Sequence, residues 1–184
     1  MPRLIAFLRA INVGGHTVTM SNLRALFEAL GFGRVETFIA SGNVLFDAAA
    51  RDVRALEARI ERHLEQALGY AVATFVRTPA ELAVVAAYRP FAGADPVPAG
   101  HNLSVGFLKA PPSAEVCRRV RALGTETDDL HIHGRELYWW RRVGVNETTV
   151  TGARLEKTLG APTTLRSVTT VRKLALKAGG APAE

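Results

Sequence analysis

The chain opens on five consecutive apolar residues, Leu4 to Leu8. Apolar positions then recur as Met20, Leu23, Leu26, Phe27 and Leu30, the three-and-four spacing of one helix face. This predicts a strand over Leu4–Arg9 and a helix capped by Thr19 and ended by Gly31 and Gly33. Val35 to Asp47 reads as a hairpin turning tightly at Gly42-Asn43, with Ile39 opposite Phe46 and Ser41 opposite Val44. Val53, Leu56, Ile60, Leu64 and Leu68 line a second helix that stops at Gly69, and Ala71–Arg77 is a fourth strand. Thr78-Pro79-Ala80-Glu81 starts a further helix with a capping box.

From Arg89 to Asn102 three prolines and two glycines break both periods, so the segment reads as a linker. After it the pattern repeats. Leu103–Lys109 is a strand, and Ser113–Leu123 is a helix closed by Gly124. Leu130–Trp140 is a hairpin turning at Gly134-Arg135, and Ala153–Leu159 is a helix closed by Gly160. Thr163–Arg166 is a strand, and Ser167 caps a last helix with Val168, Val171, Leu174 and Ala178 inward. Strand, helix, strand, strand, helix, strand is the ferredoxin-like order, here occurring twice, each copy followed by one extra helix. The expected fold is therefore α+β, a duplicated ferredoxin-like (βαββαβ) α/β sandwich of antiparallel sheets with helices on one face. Its halves are residues 1–88 and 103–178, with a linker at 89–102 and a disordered tail at 179–184. The other face of each sheet must be covered by the sister unit, be covered by a partner, or serve as a binding surface.

Composition changes this picture little. With 48% hydrophobic residues in 184 the chain can build a real core, and no apolar run approaches the roughly 18 residues of a membrane span. Neither a membrane partner nor a signal peptide is expected. The single cysteine, Cys117, excludes an internal disulfide, fits a reducing cytoplasm and is expected to pack with Val116, Val120 and Leu123. The net charge of +6 permits nucleic acid or another polyanion as a partner. Residues 1–92 carry 10 Lys and Arg against 8 Asp and Glu, and residues 93–184 carry 13 against 9, so the surplus leans to the second half. The excess of arginine over lysine in an alanine-rich chain also fits a GC-rich coding sequence.

The sharpest chemical hint is Arg9 to His16, where a strand empties through Gly14 and Gly15 toward a helix N-terminus. Backbone N–H groups and the positive end of a helix dipole then meet, which suits an anion. The loop lacks the Lys-Ser/Thr ending of a P-loop and the three-glycine spacing of a dinucleotide fingerprint, and no cofactor motif is present. Arg9, Asn12, Gly14, Gly15 and His16 are the candidate ligand-binding residues, with Ser41, Gly42 and Asn43 at the hairpin tip. The plainer alternatives are glycines that merely permit positive φ, and ordinary hairpin chemistry.

Arg9-Ala10-Ile11-Asn12-Val13-Gly14-Gly15, then Met20 with Leu23, and Phe38-Ile39-Ala40-Ser41-Gly42-Asn43-Val44-Leu45-Phe46 resemble the two opening signatures of an uncharacterised bacterial family, the family of unknown function numbered 1697. The tail from Thr163 to Leu174 is similar to that family's closing motif, except that Ser167 and Val168 stand where the family usually has Asn-Trp. The resemblance implies an α+β fold of ferredoxin-like character and no established activity.

Tyr138, Trp140 and Arg142 are candidates for stacking nucleic-acid bases, because they fall on the third strand of the second unit; burial of both strand faces is the alternative. His131 and His133 share one side of a strand but lack a third ligand, so no metal site is expected. Glu28, Glu57, Glu61, Glu65 and Glu156 fall on charged outer helix faces, and no general acid-base pair stands out. Three functional classes remain: a protein binding an anionic ligand or nucleic acid, a small enzyme acting on a phosphorylated or carboxylate metabolite, and a structural protein that dimerises through open sheet faces.

Overall fold

The computed structural model describes residues 1–12, 14–49, 51–144 and 147–179. Along them run β1 (Arg3–Leu8), α1 (Met20–Ala29), β2 (Gly33–Phe38), β3 (Asn43–Asp47), α2 (Val53–Leu68), β4 (Thr74–Arg77) and α3 (Pro79–Ala87). Then follow β5 (Asn102–Phe107), α4 (Ala114–Arg121), β6 (Asp128–His133), β7 (Glu136–Arg141), α5 (Gly152–Leu159), β8 (Thr164–Ser167) and α6 (Val168–Lys177). The strands form two antiparallel sheets, ordered β2-β3-β1-β4 and β6-β7-β5-β8. In each, the first strand lies between the third and the fourth, which is the ferredoxin-like arrangement, present twice. The chain divides into two compact units, one of Met1–Val84 with the chain from Leu174 onward, the other of Val85–Lys173. Of the tail expected at 179–184, Gly179 closes α6 at φ +84°, and residues 180–184 lie outside the described residues.

In the first unit the helix ends follow side-chain chemistry. Thr19 Oγ1 accepts from the Asn22 amide at 3.1 Å, Asp52 accepts from Arg54, and Gly69 takes φ +80° as the C-cap of α2. Leu4, Ala6 and Leu8 of β1 join Val44, Phe46 and Val76 against Leu23 and Phe27 of α1 and Ile60 and Leu64 of α2. The alternate residues Ile5, Phe7, Leu45 and Phe75 are 0% exposed as well, so the central strands present no open face. In the second unit, Leu108, Leu137 and Trp139 pack with Val120, Leu155 and Leu159, and Leu103 and Trp140 pack with Ala94 and Val168. Residues 89–101 have no regular structure, as their prolines dictate, and Asn102, expected in the linker, already belongs to β5; yet Ala94 is buried and Asp95 pairs with Arg89 and, at 2.9 Å, with Arg172.

Two sequence expectations need correction. The first hairpin does not turn at Gly42-Asn43; Phe38 pairs with Asn43 and Thr37 with Val44, leaving a four-residue loop, Ile39 to Gly42. Asn43 is buried, and its amide donates to the Phe38 carbonyl and to Ser41 Oγ, both at 2.9 Å, so a side chain read as part of the turn closes the loop from inside the strand. Ile39 consequently does not face Phe46; it is 52% exposed. Nor are Glu57, Glu61 and Glu156 solvated. Glu57 and Glu61, one turn apart on α2, accept the Val76 and Thr74 amides at 2.8 Å, and Glu156 accepts the Thr163 amide at 2.9 Å. An edge strand carries unpaired N–H groups on its outer side, and helix carboxylates satisfy them here.

Candidate functional site

The loop after β1 and the tip of the first hairpin come together. The Leu8 amide donates to the Gly42 carbonyl at 2.8 Å. Asn12 Nδ2 donates to the Ala40 carbonyl at 3.2 Å, while Asn12 Oδ1 accepts from the Val18 amide at 2.6 Å. One side chain thus fixes both ends of the loop and ties it to the hairpin. A Cβ on Gly42 would lie 3.1 Å from Ile11 Cβ and 3.2 Å from Leu8 Cβ, so only glycine allows this approach. Val13 lies outside the described residues.

Backbone strain gathers at the same place. Ala10, Asn12 and Ile39 have φ of +62°, +58° and +49°, three of the four non-glycine residues in the left-handed region among those described. Gly14, Gly15 and Gly42 add three glycines at +62°, +86° and +77°. Asparagine tolerates this region, but a Cβ there costs roughly 1–2 kcal/mol, and a β-branched isoleucine is a genuine outlier. Ile39, 52% exposed, recovers little of that by burial.

Arg9 is half-buried at the base of the loop, and its amide donates to the Ala73 carbonyl at 2.8 Å. Gly14, Gly15, His16 and Thr17 are exposed just ahead of the Thr19 cap. The His16 ring stacks on Tyr70 with centroids 3.8 Å apart, a partner with no sequence signal, because Tyr70 sits in the turn after α2. The structure thus brings Asn12 to the Ser41–Gly42 tip, sets the exposed glycines and His16 beside the start of α1, and keeps Asn43 inside the sheet.

The second group of candidates is placed differently. Tyr138 is 1% exposed, with its hydroxyl 3.4 Å from the Val85 carbonyl. Trp140 lies with its ring 5.9 Å from that of Phe91 and with the Arg142 guanidinium 4.4 Å from its centroid; Arg142 also pairs with Asp129. Tyr138 and Trp140 are therefore parts of the core. His131 and His133 do share a side, where Tyr88 meets both: its hydroxyl is 2.9 Å from His131 Nε2 and its ring stacks on His133 at 4.2 Å. Burial chiefly, then Arg121 and His133, holds the His131 imidazole below its ordinary pKa. Among the described residues no three His, Cys, Asp or Glu side chains could hold a metal ion, and no helix is long and apolar enough to cross a membrane. Cys117 is half-buried, its thiol 3.9 Å from the Pro112 carbonyl.

No curated protein matches the sequence. Among solved structures, a conserved bacterial protein, SP0830 from Streptococcus pneumoniae, is similar over 97% of this chain and 99% of its own, with a TM-score of 0.74 and 20% identity. At that identity the likeness speaks for the fold alone. The opening signatures from Arg9 to Phe46 lie inside the stretch that matches a known family, and the tail from Thr163 lies outside it. Residues 1–138 match the family described as a protein of unknown function, DUF1697, and the chain belongs to that family.

Proposed function

We propose that this is a cytoplasmic binding protein for a small anionic ligand, captured by the backbone of residues 10–12 and 14–18 together with the hairpin tip at 39–42. The observation that carries the reading is the concentration of left-handed backbone in one place, above all at half-buried Ala10 and at the solvent-facing Ile39. Strain of this kind persists where the surrounding structure imposes it, and it clusters at ligand clamps. Ile39 is exposed and half-buried Ala10 has only a methyl group to bury, so packing offsets little of the cost. Gly14 and Gly15, consecutive in the left-handed region, offer successive N–H groups, an arrangement that suits anions. Exposure of both glycines leaves those groups open, and the chain's +6 charge attracts such a ligand.

Thermal unfolding with inorganic phosphate, pyrophosphate and small carboxylates, against chloride at matched ionic strength, tests this. A ligand at ten times its Kd adds about 1.4 kcal/mol of stability. That raises the Tm by about 3–6 °C for a chain of this size. Arg9→Gln should lose the shift. No shift beyond the chloride control, or an undiminished shift in Arg9→Gln, sinks the reading.

A further inference from the structure

The two units differ in their cores at one corner, and the difference is chemical. In the first unit the helix-facing end of the central strands is apolar: Leu4 pairs with Phe46, and the Ala48 amide reaches the Pro2 carbonyl. The register of the second unit puts Ser104 opposite Trp139 and Asn102 opposite Arg141 at the same places, with Asp128 across from Arg141 on the other side. Ser104 is 4% exposed, Arg141 9% and Asp128 0%. The fold therefore does not require polar residues there, because its own sister copy builds the corner without them.

Within the corner the charges avoid each other. Asp128 and Arg141 are neighbours in register, yet they make no ion pair. The Asp128 carboxylate is taken by Trp139 Nε1 at 2.8 Å, Thr148 Oγ1 at 2.7 Å, and the hydroxyls of Thr125 and Thr127. The Arg141 guanidinium turns the opposite way. It lies over the Trp139 ring at 4.5 Å, and Nη2 donates to Asn102 Oδ1 at 2.7 Å and to Ser104 Oγ at 3.2 Å, both neutral. Its Nε is buried with no hydrogen-bond partner. Burial penalises this cation, and Asp128 offsets the penalty only through space. A buried guanidinium whose Nε lacks a hydrogen-bond partner, beside a carboxylate already held by four other donors, is costly, and one incoming carboxylate would supply a direct partner. Asn102 and Thr148 are only half-buried, so the corner borders the surface rather than the deep interior.

We propose that Arg141, held by Asn102 and Ser104, is the recognition point for the carboxylate group of a small ligand at this corner of the second unit. A singly charged group suits it better than a phosphate dianion, because Asp128 already places one negative charge close by. This site is independent of loop 10–18.

Trp139 is the built-in reporter, and Trp140→Phe leaves it as the only tryptophan in the chain. Titrating that protein with acetate, succinate and inorganic phosphate at constant ionic strength, while following Trp139 emission, tests the proposal. A saturable change with a carboxylate, weaker with phosphate, is expected. Arg141→Met in the same background should abolish it; the Asp128 carboxylate keeps its four donors, and a cooperative urea transition checks that the variant is folded. Arg141→Lys, which keeps the charge but loses the planar fork, should weaken binding about tenfold. No saturable change, a change produced by phosphate alone, or one that survives in either Arg141 variant overturns the proposal. Arg9→Gln should leave the Trp139 response intact, which separates the two sites.

Discussion

The first strand of each unit leads into a connection that the duplication has treated in opposite ways. After β1 the chain takes Asn12, Gly14 and Gly15 through the left-handed region and is pinned by Asn12 to Val18 and Ala40. After β5 it crosses Lys109-Ala110-Pro111-Pro112-Ser113 with no left-handed residue, and Ser113 Oγ accepts the Val116 amide to start α4. Two prolines there remove two backbone donors outright. They also help to wall an apolar cleft of about 250 Å³ with Leu108, Leu159 and Pro162. In the first unit the turn after α2 instead sends Tyr70 onto His16. One scaffold thus carries a strained loop rich in donors and a stiff loop poor in them. Only the first has the exposed, left-handed backbone that the proposed anion site requires.

The largest test of that contrast lies in the two hairpins. Gly42→Ala should destabilise the protein by about 2–4 kcal/mol in urea unfolding, because a Cβ there is both left-handed and pressed against Leu8 and Ile11. Gly134 also has positive φ, +59°, but its nearest neighbour is a flexible carboxylate, Glu136 Oε2 at 3.6 Å. Gly134→Ala should therefore cost only about 1 kcal/mol. Equal costs would mean that the hairpin tip is not locked onto the loop in the way described.

Next comes the asparagine. Asn12→Ala loses two hydrogen bonds and places a less tolerant residue at φ +58°, for a loss of about 2 kcal/mol. Asn12→Gly keeps the backbone conformation and should cost about half as much. Pro111→Ala, in the stiff loop, should change stability by less than about 1 kcal/mol, mainly through the unfolded chain.

How much of this was readable beforehand follows from how local each cause is. Thr19, the Thr78–Glu81 box, Ser113, Gly69 and Gly160 act within one helical turn, so their caps stood in the sequence and the strand order followed from them. The turn at Gly134-Arg135 was equally local, with His133 pairing Glu136. The first hairpin was misread because its register depends on a side chain inside the strand, Asn43, and on the loop it meets. Glu57 and Glu61 looked solvated because their partners, the Val76 and Thr74 amides, lie on a strand remote in sequence. Arg141 carried no motif at all. Its meaning appears only when its register partners are set beside those of Ala48 in the sister copy. The loop from Arg9 to His16 was legible as a glycine-rich turn, while the strain at Ala10 and Ile39 was not, since nothing in either residue type foretells a left-handed φ.

Acid should act on the two units in sequence. Burial, helped by Arg121 and His133, lowers the folded-state pKa of His131, whose ring nitrogen meets the Tyr88 hydroxyl. The unfolded chain therefore takes up this proton first, and stability falls as pH drops below about 6.5. In the first unit, hydrogen bonding from Lys177 lowers the Glu36 pKa and hydrogen bonding from Arg34 lowers that of Asp47. Their contribution is present above about pH 4 and is lost as pH falls through the depressed values. Both tryptophans lie in the second unit, so their emission reports that unit. Its urea midpoint should be lower at pH 5.5 than at pH 7, and His131→Gln, whose neutral amide can hydrogen-bond the Tyr88 hydroxyl in either sense, should flatten the difference. An unchanged midpoint in the parent protein would show that His131 titrates alike in both states.

The smallest expected effect is also the one that separates strain from function. Ile39 holds φ +49° while 52% exposed, so replacing it with glycine relieves roughly 1–2 kcal/mol of left-handed strain. The same change adds about 0.5–1 kcal/mol of unfolded-chain entropy. Ile39→Gly should therefore come out more stable by about 0.5 kcal/mol, a gain that an ordinary loop would have fixed already. If loop 10–18 and the hairpin tip form a ligand clamp, the stabilised variant should respond less to the anion that stabilises the parent, because a tip free to relax no longer holds its amides in place. A variant that gains stability and keeps the full response would assign the strain at Ile39 to the Asn43-closed hairpin alone, leaving Asn12, Gly14 and Gly15 to bind without it.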